Sequence, residues 1–262
     1  MNYMGGKHRQ GPKIAEFVKK VLKPDQWYVE PFCGALGVAW RVNHTKMILG
    51  DVSQSLIAMW KFFQDNPDFE LPDVITEDEY NAIKKIRDPY DWRTAYYGFG
   101  MSFGSKWFGG YARNEKKTDY CTNLKRSTNL KRSTNLKRST NLKLSTNLKL
   151  STNLKRSTNS RFVCSDYRQL CIPPNSVVYC DPPYVNRTKA HNFDTFDTEE
   201  FWQWCRERVI DGHIILVTSF VVPDDFVILH NWGDTVVRHY SGKPPDGTQE
   251  LLVCHESQKH LF

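Results

Sequence analysis

Short apolar runs alternate along this chain with segments of helical periodicity, and three of the runs lead directly into an aspartate. Trp27–Val29, Met47–Leu49, Phe162–Cys164, Val177–Cys180, Ile214–Thr218, Asp234–Tyr240 and Glu250–His255 have the length and residue types of strands. Between them lie helical patterns. Pro12 opens one in which Ile14, Phe17, Val18, Val21 and Leu22 recur at i, i+3, i+4, i+7 and i+8. Others are predicted from the turn at Gly34 to about Asn43, over Ser53–Phe63, from the capping box at Thr76 and Glu79 to about Arg87, over Trp92–Phe103, and over Thr198–Arg208. Strand–helix alternation predicts a doubly wound α/β sheet. The last strands lack intervening helices, which predicts an antiparallel hairpin at one edge. Residues 64–160 interrupt the alternation and read as a helical insert, leaving 1–63 and 161–262 as the sheet domain.

A chain of 262 residues can bury one sizeable core. An aromatic content of 13% is too high for a disordered chain. No run of about 18 apolar residues occurs, so no transmembrane helix and no membrane partner is expected. The start, Met1-Asn2-Tyr3-Met4-Gly5-Gly6-Lys7, has no signal-peptide pattern. Seven cysteines with no C-x-x-C pair suggest neither a disulfide framework nor a zinc ribbon, and point to a reducing cytoplasm. The eight histidines show no metal-ligand spacing, which sets a metal hydrolase aside and predicts no metal.

Residues 122–157 repeat TNLKRS or TNLKLS six times. Positions six apart turn by about 600° on an α-helix, so the leucines would scatter around the axis. As a strand stack the repeat has too little apolar surface and no glycine for corners. The segment reads first as a solvated insertion, and with it as an electrostatic arm for nucleic-acid phosphates. Its six lysines and four arginines meet no acid; taking that +10 from the net +7 leaves −3 for the rest of the chain.

In an open α/β sheet the chemistry lies outside the carboxyl ends of the strands. There the chain offers Glu30-Pro31-Phe32-Cys33-Gly34, then Asp51 at the spacing where an acid meets ribose hydroxyls, then Ser165-Asp166-Tyr167, and Asp181-Pro182-Pro183-Tyr184. Any one of these acids alone reads as a cap or turn residue; their convergence on one rim points to a site. The D-P-P-Y loop is stiff and rich in acceptors. It suits a planar aromatic amine, its two N–H bonds on the Asp181 carboxylate and the Pro182 carbonyl and its ring on Tyr184. Such contacts draw the nitrogen lone pair out of conjugation, ready to attack an electrophile. The same residues equally make a rigid turn closing a strand.

Taken in order, Tyr3-Met4-Gly5-Gly6-Lys7, Glu30-Pro31-Phe32-x-Gly34, Asp51, Ser165-Asp166-Tyr167-Arg168 and Asp181-Pro182-Pro183-Tyr184 resemble the Dam-type DNA adenine methyltransferases of bacteria and phages. The similarity covers nearly the whole chain except the repeat. It implies a class I methyltransferase fold, Rossmann-like and mostly parallel, with a helical target-recognition insert. It implies methyl transfer from S-adenosylmethionine to the adenine 6-amino group of double-stranded DNA, with the base flipped into the D-P-P-Y loop. Carried over, Asp181, Pro182 and Tyr184 are the catalytic candidates. Tyr3, Lys7, Phe32, Gly34, Asp51, Asp166 and Asp181 are the cofactor candidates. Lys106, Arg113 and Asn114, in and beyond the aromatic- and glycine-rich stretch Phe99–Tyr111, are the DNA-contact candidates; a packed loop with solvated charges is the competing reading there.

Two departures from the family pattern stand out. Leu36 takes the place of the second glycine in F-x-G-x-G, which predicts strain if position 36 needs a positive φ, or an adjustment onto Gly37 if it does not. The repeat falls in the insert, and its near-identical units carry little base-specific information. Two other readings remain open on the residues alone: a catalytically silent DNA-binding relative, and an amino-methyltransferase acting on cytosine, RNA or a protein glutamine.

Overall fold

A computed structural model of the chain describes residues 3, 5–72, 75–112, 160–183, 196–233 and 250–262. The repeat, Tyr184, Arg113, Asn114 and the expected strand Asp234–Tyr240 lie outside the described residues. The chain divides into two compact units, Lys7–Val52 with Asn159–Phe262, and Met1–Gly6 with Ser53–Thr158.

The first unit is built on a seven-stranded sheet. Its elements are α1 (Gly11–Val21), β1 (Tyr28–Glu30), α2 (Ala39–Val42), β2 (Met47–Asp51), β3 (Arg161–Cys164), β4 (Val177–Cys180), α6 (Thr198–Ile210), β5 (Ile214–Ser219), β6 (Phe226–Asn231) and β7 (Leu251–His255). The strand order is β3-β2-β1-β4-β5-β7-β6. The first five strands are parallel, whereas β7 runs antiparallel to both β5 and β6. This is the Rossmann-like sheet with an antiparallel edge pair that the sequence predicted, but the outer strand of that pair is Phe226–Asn231. Residues 226–229 are apolar without the alternation that marks an edge strand, because exposed positions such as Ile228 are apolar too. Strands β1, β2 and β4 are buried at every residue, as parallel strands covered on both faces must be.

Helix α1 starts with Pro at its first turn and buries Ile14, Phe17, Val18 and Val21. Helix α6 is capped by Asp197, whose carboxylate accepts the N–H groups of Glu199 and Glu200. Its Phe201, Trp202, Trp204 and Cys205 pack on Val29, Val178, Cys180, Ile215, Val217 and Val253 from four strands. Gln258 ties the C-terminal turn to the sheet, accepting the Ile215 N–H at 3.0 Å and donating to the His213 carbonyl at 2.6 Å.

The second unit holds α3 (Gln54–Asp65), α4 (Glu77–Ile86) and α5 (Trp92–Ala95). Helix α3, expected with the sheet, belongs here: Phe62 stacks on Trp92 at 4.8 Å and Phe63 meets Trp92 and Tyr96. The unit boundary therefore falls after Val52 rather than at residue 63. The capping box of α4 forms as predicted, Thr76 and Glu79 each accepting the other's backbone N–H. The single helix expected over Trp92–Phe103 does not form. After α5 the chain widens into a π-helical turn, Tyr96–Gly100, and then a short 3₁₀ turn, Phe103–Ser105. Trp107 lies across Gly98, where a Cβ would come within 2.6 Å of its ring, so the aromatic cluster dictates the local backbone.

Candidate active site

The chain changes direction across the sheet between β1 and β4, with β2 and β3 on one side and β5, β7 and β6 on the other. A crevice outside the carboxyl ends of the strands at such a point is where open α/β sheets hold ligands. Strands β1, β2, β3 and β4 end in or lead to Glu30, Asp51, Asp166 and Asp181, so four acids share this edge. Because β7 is reversed, its amino end lies on the same edge: Leu251 pairs with Ser219 at the carboxyl end of β5, and Glu250 immediately precedes it.

Lys7 joins two of these acids. Its Nζ lies 2.6 Å from Asp181 Oδ1 and 2.9 Å from Glu250 Oε1, with Lys7 only 6% exposed. Burial alone would lower the Lys7 pKa, but Asp181 and Glu250 outweigh it and hold the ammonium above its ordinary value. Gln10 Nε2 donates to the other Glu250 oxygen at 2.9 Å. Thr218 Oγ1, on the neighbouring strand, lies 3.0 Å from Asp181 Oδ1. A hydroxyl has one proton, and a carboxylate only accepts, so Tyr179 is the donor in its 3.0 Å contact with Thr218. The result is a largely buried chain, Gln10–Glu250–Lys7–Asp181–Thr218–Tyr179, which passes through the first residue of the D-P-P-Y loop, where Pro182 is buried.

Glu30 lies deeper and is 2% exposed. Burial pushes its carboxyl up to about 8, against the pull of hydrogen bonds from the Tyr28 hydroxyl and the Ala39 backbone; the Asp181 charge adds to the rise. It is therefore largely protonated at neutral pH.

Asp51 accepts the Gly34 N–H at 3.0 Å, which joins the end of β2 to the glycine turn after β1. In that turn Gly34 has φ +43° and Leu36 has φ +57°. The left-handed conformation is thus borne by leucine itself, fully buried, without an adjustment onto Gly37. Gly37 serves another need: a Cβ there would lie 3.0 Å from the Lys7 backbone nitrogen. Arg41 donates to the carbonyls of Gly37 and His8, tying the Lys7 segment to the turn.

The remaining candidates are more scattered. The half-buried Phe32 sits among Tyr167, Phe196 and Phe201 at centroid distances of 5.3–6.0 Å. Asp166 is turned onto Arg168, which grips it with Nε and Nη2, both at 2.8 Å, and also bonds Glu200. That guanidinium contact holds the Asp166 carboxyl below its usual range. Together with the Arg168 backbone N–H it occupies three of the four acceptor positions of the carboxylate. Tyr3 belongs to the second unit, where its ring meets Phe99 at 4.8 Å. Lys106 is exposed on a loop of that unit closed by the Ser102–Tyr111 bridge, beside the 58% exposed Phe103.

Sequence reasoning missed Glu250, Thr218 and Gln10, and gave Glu30 no role. An acid heading an apolar strand was visible at Glu250, but only the reversal of β7 brings it to the rim. Among the described residues no group of His, Cys, Asp or Glu could hold a metal ion, and no helix is long and apolar enough to cross a membrane.

Comparison with known proteins bears on this arrangement. The chain is 26% identical over 211 residues to a DNA adenine methylase of Serratia marcescens, covering 77% of this chain and 72% of that protein. Among solved structures, the rRNA methyltransferase AviRa of Streptomyces viridochromogenes aligns over 94% of this chain and 85% of its own, with 12% identity and a TM-score of 0.38, too distant to carry an argument. The family description of the D12 class of N6 adenine-specific DNA methyltransferases matches residues 3–213, from the Tyr3 segment through β4 and the D-P-P loop to His213. With its acids gathered at the switch point and that match spanning most of its length, the chain belongs to the D12 class of N6 adenine-specific DNA methyltransferases.

Proposed function

We propose that the rim of the first unit binds S-adenosylmethionine and an adenine flipped out of double-stranded DNA, and that Asp181 and Pro182 hold the adenine amine during methyl transfer. The observation that carries this reading is the Asp181 carboxylate, oriented by Lys7 and Thr218 at the end of β4 and followed by a buried proline. The residues present fit the cofactor. Asp51, an acceptor already fixed by the glycine turn, matches a ribose diol, which offers two O–H donors. The acids around the switch point match a sulfonium cation. Phe32 and Gly34 line the side next to the turn, and Asp166 keeps one acceptor position for an adenine edge. When bound, S-adenosylmethionine supplies a sulfonium-activated methyl whose carbon–sulfur electron pair leaves on sulfur.

Asp181 and the Pro182 carbonyl accept the two N–H bonds of the amine, freeing the nitrogen lone pair for attack on that methyl; the nitrogen, cationic after transfer, then gives up one of its two protons, by way of these acceptors, to solvent. Tyr184 stacks on the base and offsets part of the flipping cost of roughly a few kcal/mol. Lys7 completes the cofactor side in this reading. Lys106, Arg113 and Asn114 contact the duplex, and the basic repeat adds phosphate affinity.

The test is nucleoside mass spectrometry of unmethylated duplex DNA incubated with the protein and S-adenosylmethionine. 6-Methyladenine is the expected product, and its absence, or methylcytosine in its place, overturns the reading. Asp181→Ala is expected to abolish the product while the protein stays folded; unchanged turnover would reject the role of Asp181.

A further inference from the structure

The acids and the lysine at the rim form a charge arrangement that amine binding alone does not require. Asp181 receives Lys7 and Thr218 on the same oxygen, Oδ1, at 2.6 and 3.0 Å. A lone ammonium there would cancel the carboxylate charge at the place where methyl transfer puts positive charge on the amine nitrogen. Glu250 changes the balance. It is 4% exposed, it shares the Lys7 ammonium at 2.9 Å, and its second oxygen is held by Gln10. Asp181, Lys7 and Glu250 together carry −1 instead of zero. The clamp is also geometric. The Lys7 backbone is pressed against Gly37, so the remaining freedom lies in its long side chain, and Glu250 removes that freedom.

We propose that Glu250 is a positioning residue for methyl transfer: acting through Lys7, it fixes the ammonium on Asp181 Oδ1 and sets a second negative charge against that ammonium. The proposal rests on the reading of Asp181 as the acid that holds the amine. Glu250 lies beyond the matched family region and after a stretch of chain remote from every motif in the sequence, and it reaches the site only because β7 is antiparallel.

Glu250→Gln tests it, since glutamine keeps the size and an acceptor for Lys7 but carries no charge. The expected result is a fall in kcat of about tenfold or more, with KM for DNA changed far less and the melting temperature close to that of the wild type. Glu250→Asp is expected to recover part of the loss. A second readout needs neither cofactor nor DNA. Among the described residues, the groups facing Lys7 are Tyr179 of β4, Asp181 just after it and Glu250 just before β7, with Glu30 and Tyr28 of β1 beyond Asp181. With one counter-charge gone, burial draws the Lys7 ammonium down. Its side-chain NMR signal should then titrate at lower pH in Glu250→Gln than in the wild-type protein.

Wild-type kcat together with an unshifted Lys7 titration in Glu250→Gln overturns the proposal. If Glu250→Gln does not fold, Glu250→Ala, also uncharged at this position, decides in the same way: a lowered kcat with a shifted Lys7 signal supports it, and wild-type behaviour in both readouts overturns it. Failure of the wild-type protein to make 6-methyladenine overturns the functional reading instead, and the Lys7 titration still decides whether Glu250 sets the charge on Lys7.

Discussion

Leu36 and Glu30 show how the site imposes states that side chains do not choose by themselves. A left-handed φ on leucine costs about 1–2 kcal/mol, and the fully buried side chain repays it. Replacing Leu36 by alanine or by glycine removes much the same apolar contact, but only glycine relieves the strain. Leu36→Gly is therefore expected to be more stable than Leu36→Ala by about 1 kcal/mol, in reverse of the usual order, as read by urea denaturation. If alanine proves the more stable, the strain is absent.

Glu30 makes a pH prediction. Its carboxyl lies at about 8 in the folded chain against an ordinary 4.5, so between those values the folded state holds a proton that the unfolded state has released. This contribution to stability is complete below pH 4.5 and declines as pH rises towards 8. Glu30→Gln should flatten that decline, narrowing the gap between urea midpoints at pH 5 and pH 8. Parallel profiles for variant and wild type would contradict it.

At the scale of elements, the second unit shows tertiary contacts overruling helical periodicity. Trp92, Ala95, Tyr96 and Phe99 follow a helical pattern, yet the regular helix stops at Ala95 and a π turn carries the next residues. Tyr97, Met101 and Phe108 then join Ile75, Tyr80 and Ile83 in a small core, and the ring of Trp107 covers Gly98. Gly98→Ala places a methyl within 2.6–2.7 Å of that ring, so Trp107 has to move. The expected cost is about 1–3 kcal/mol, with a changed tryptophan emission spectrum and faster hydrogen exchange around Met101–Ala112. An unchanged spectrum and melting curve would show that the ring is not seated on the glycine. By contrast, the α4 capping box and the Asp197 cap of α6 were fully readable, because a cap depends only on residues within one turn of chain.

For the whole molecule, charge is distributed by segment. Without residues 122–157 the chain carries −3, so the repeat supplies the excess of positive charge that a polyanion would meet. Deleting 122–157 is expected to weaken non-specific binding to duplex DNA and to reduce the steepness with which affinity falls with salt, each lost phosphate contact lowering the log–log slope by about 0.9. Equal slopes for the deletion and the full chain would assign the repeat no part in binding. The sheet supplies the rest of the design. Strand order puts the switch point between β1 and β4, and parallel strands bring Glu30, Asp51, Asp166 and Asp181 to one edge although they are far apart in the chain.

The sequence by itself determined the sheet class, the strands that lead into acids and the D-P-P-Y loop, because strand alternation, caps and end-of-strand residues are local properties that short patterns record. It also announced the odd residue in the glycine turn, but not how the turn would accommodate it. Only the tertiary structure decided that Leu36 itself takes the left-handed conformation, that Gly37 is small to admit Lys7, and that Asp166 is held by Arg168. It alone decided the place of Glu250. Gln10 and Glu250 stand 240 residues apart, and although the missing helices predicted an antiparallel edge pair, they did not say which strand of the pair runs against β5 and presents its amino end where the other strands present their carboxyl ends. Strand direction is settled by which edges and apolar faces remain to be covered once the rest of the sheet has formed, a property of the assembled fold rather than of any stretch of sequence.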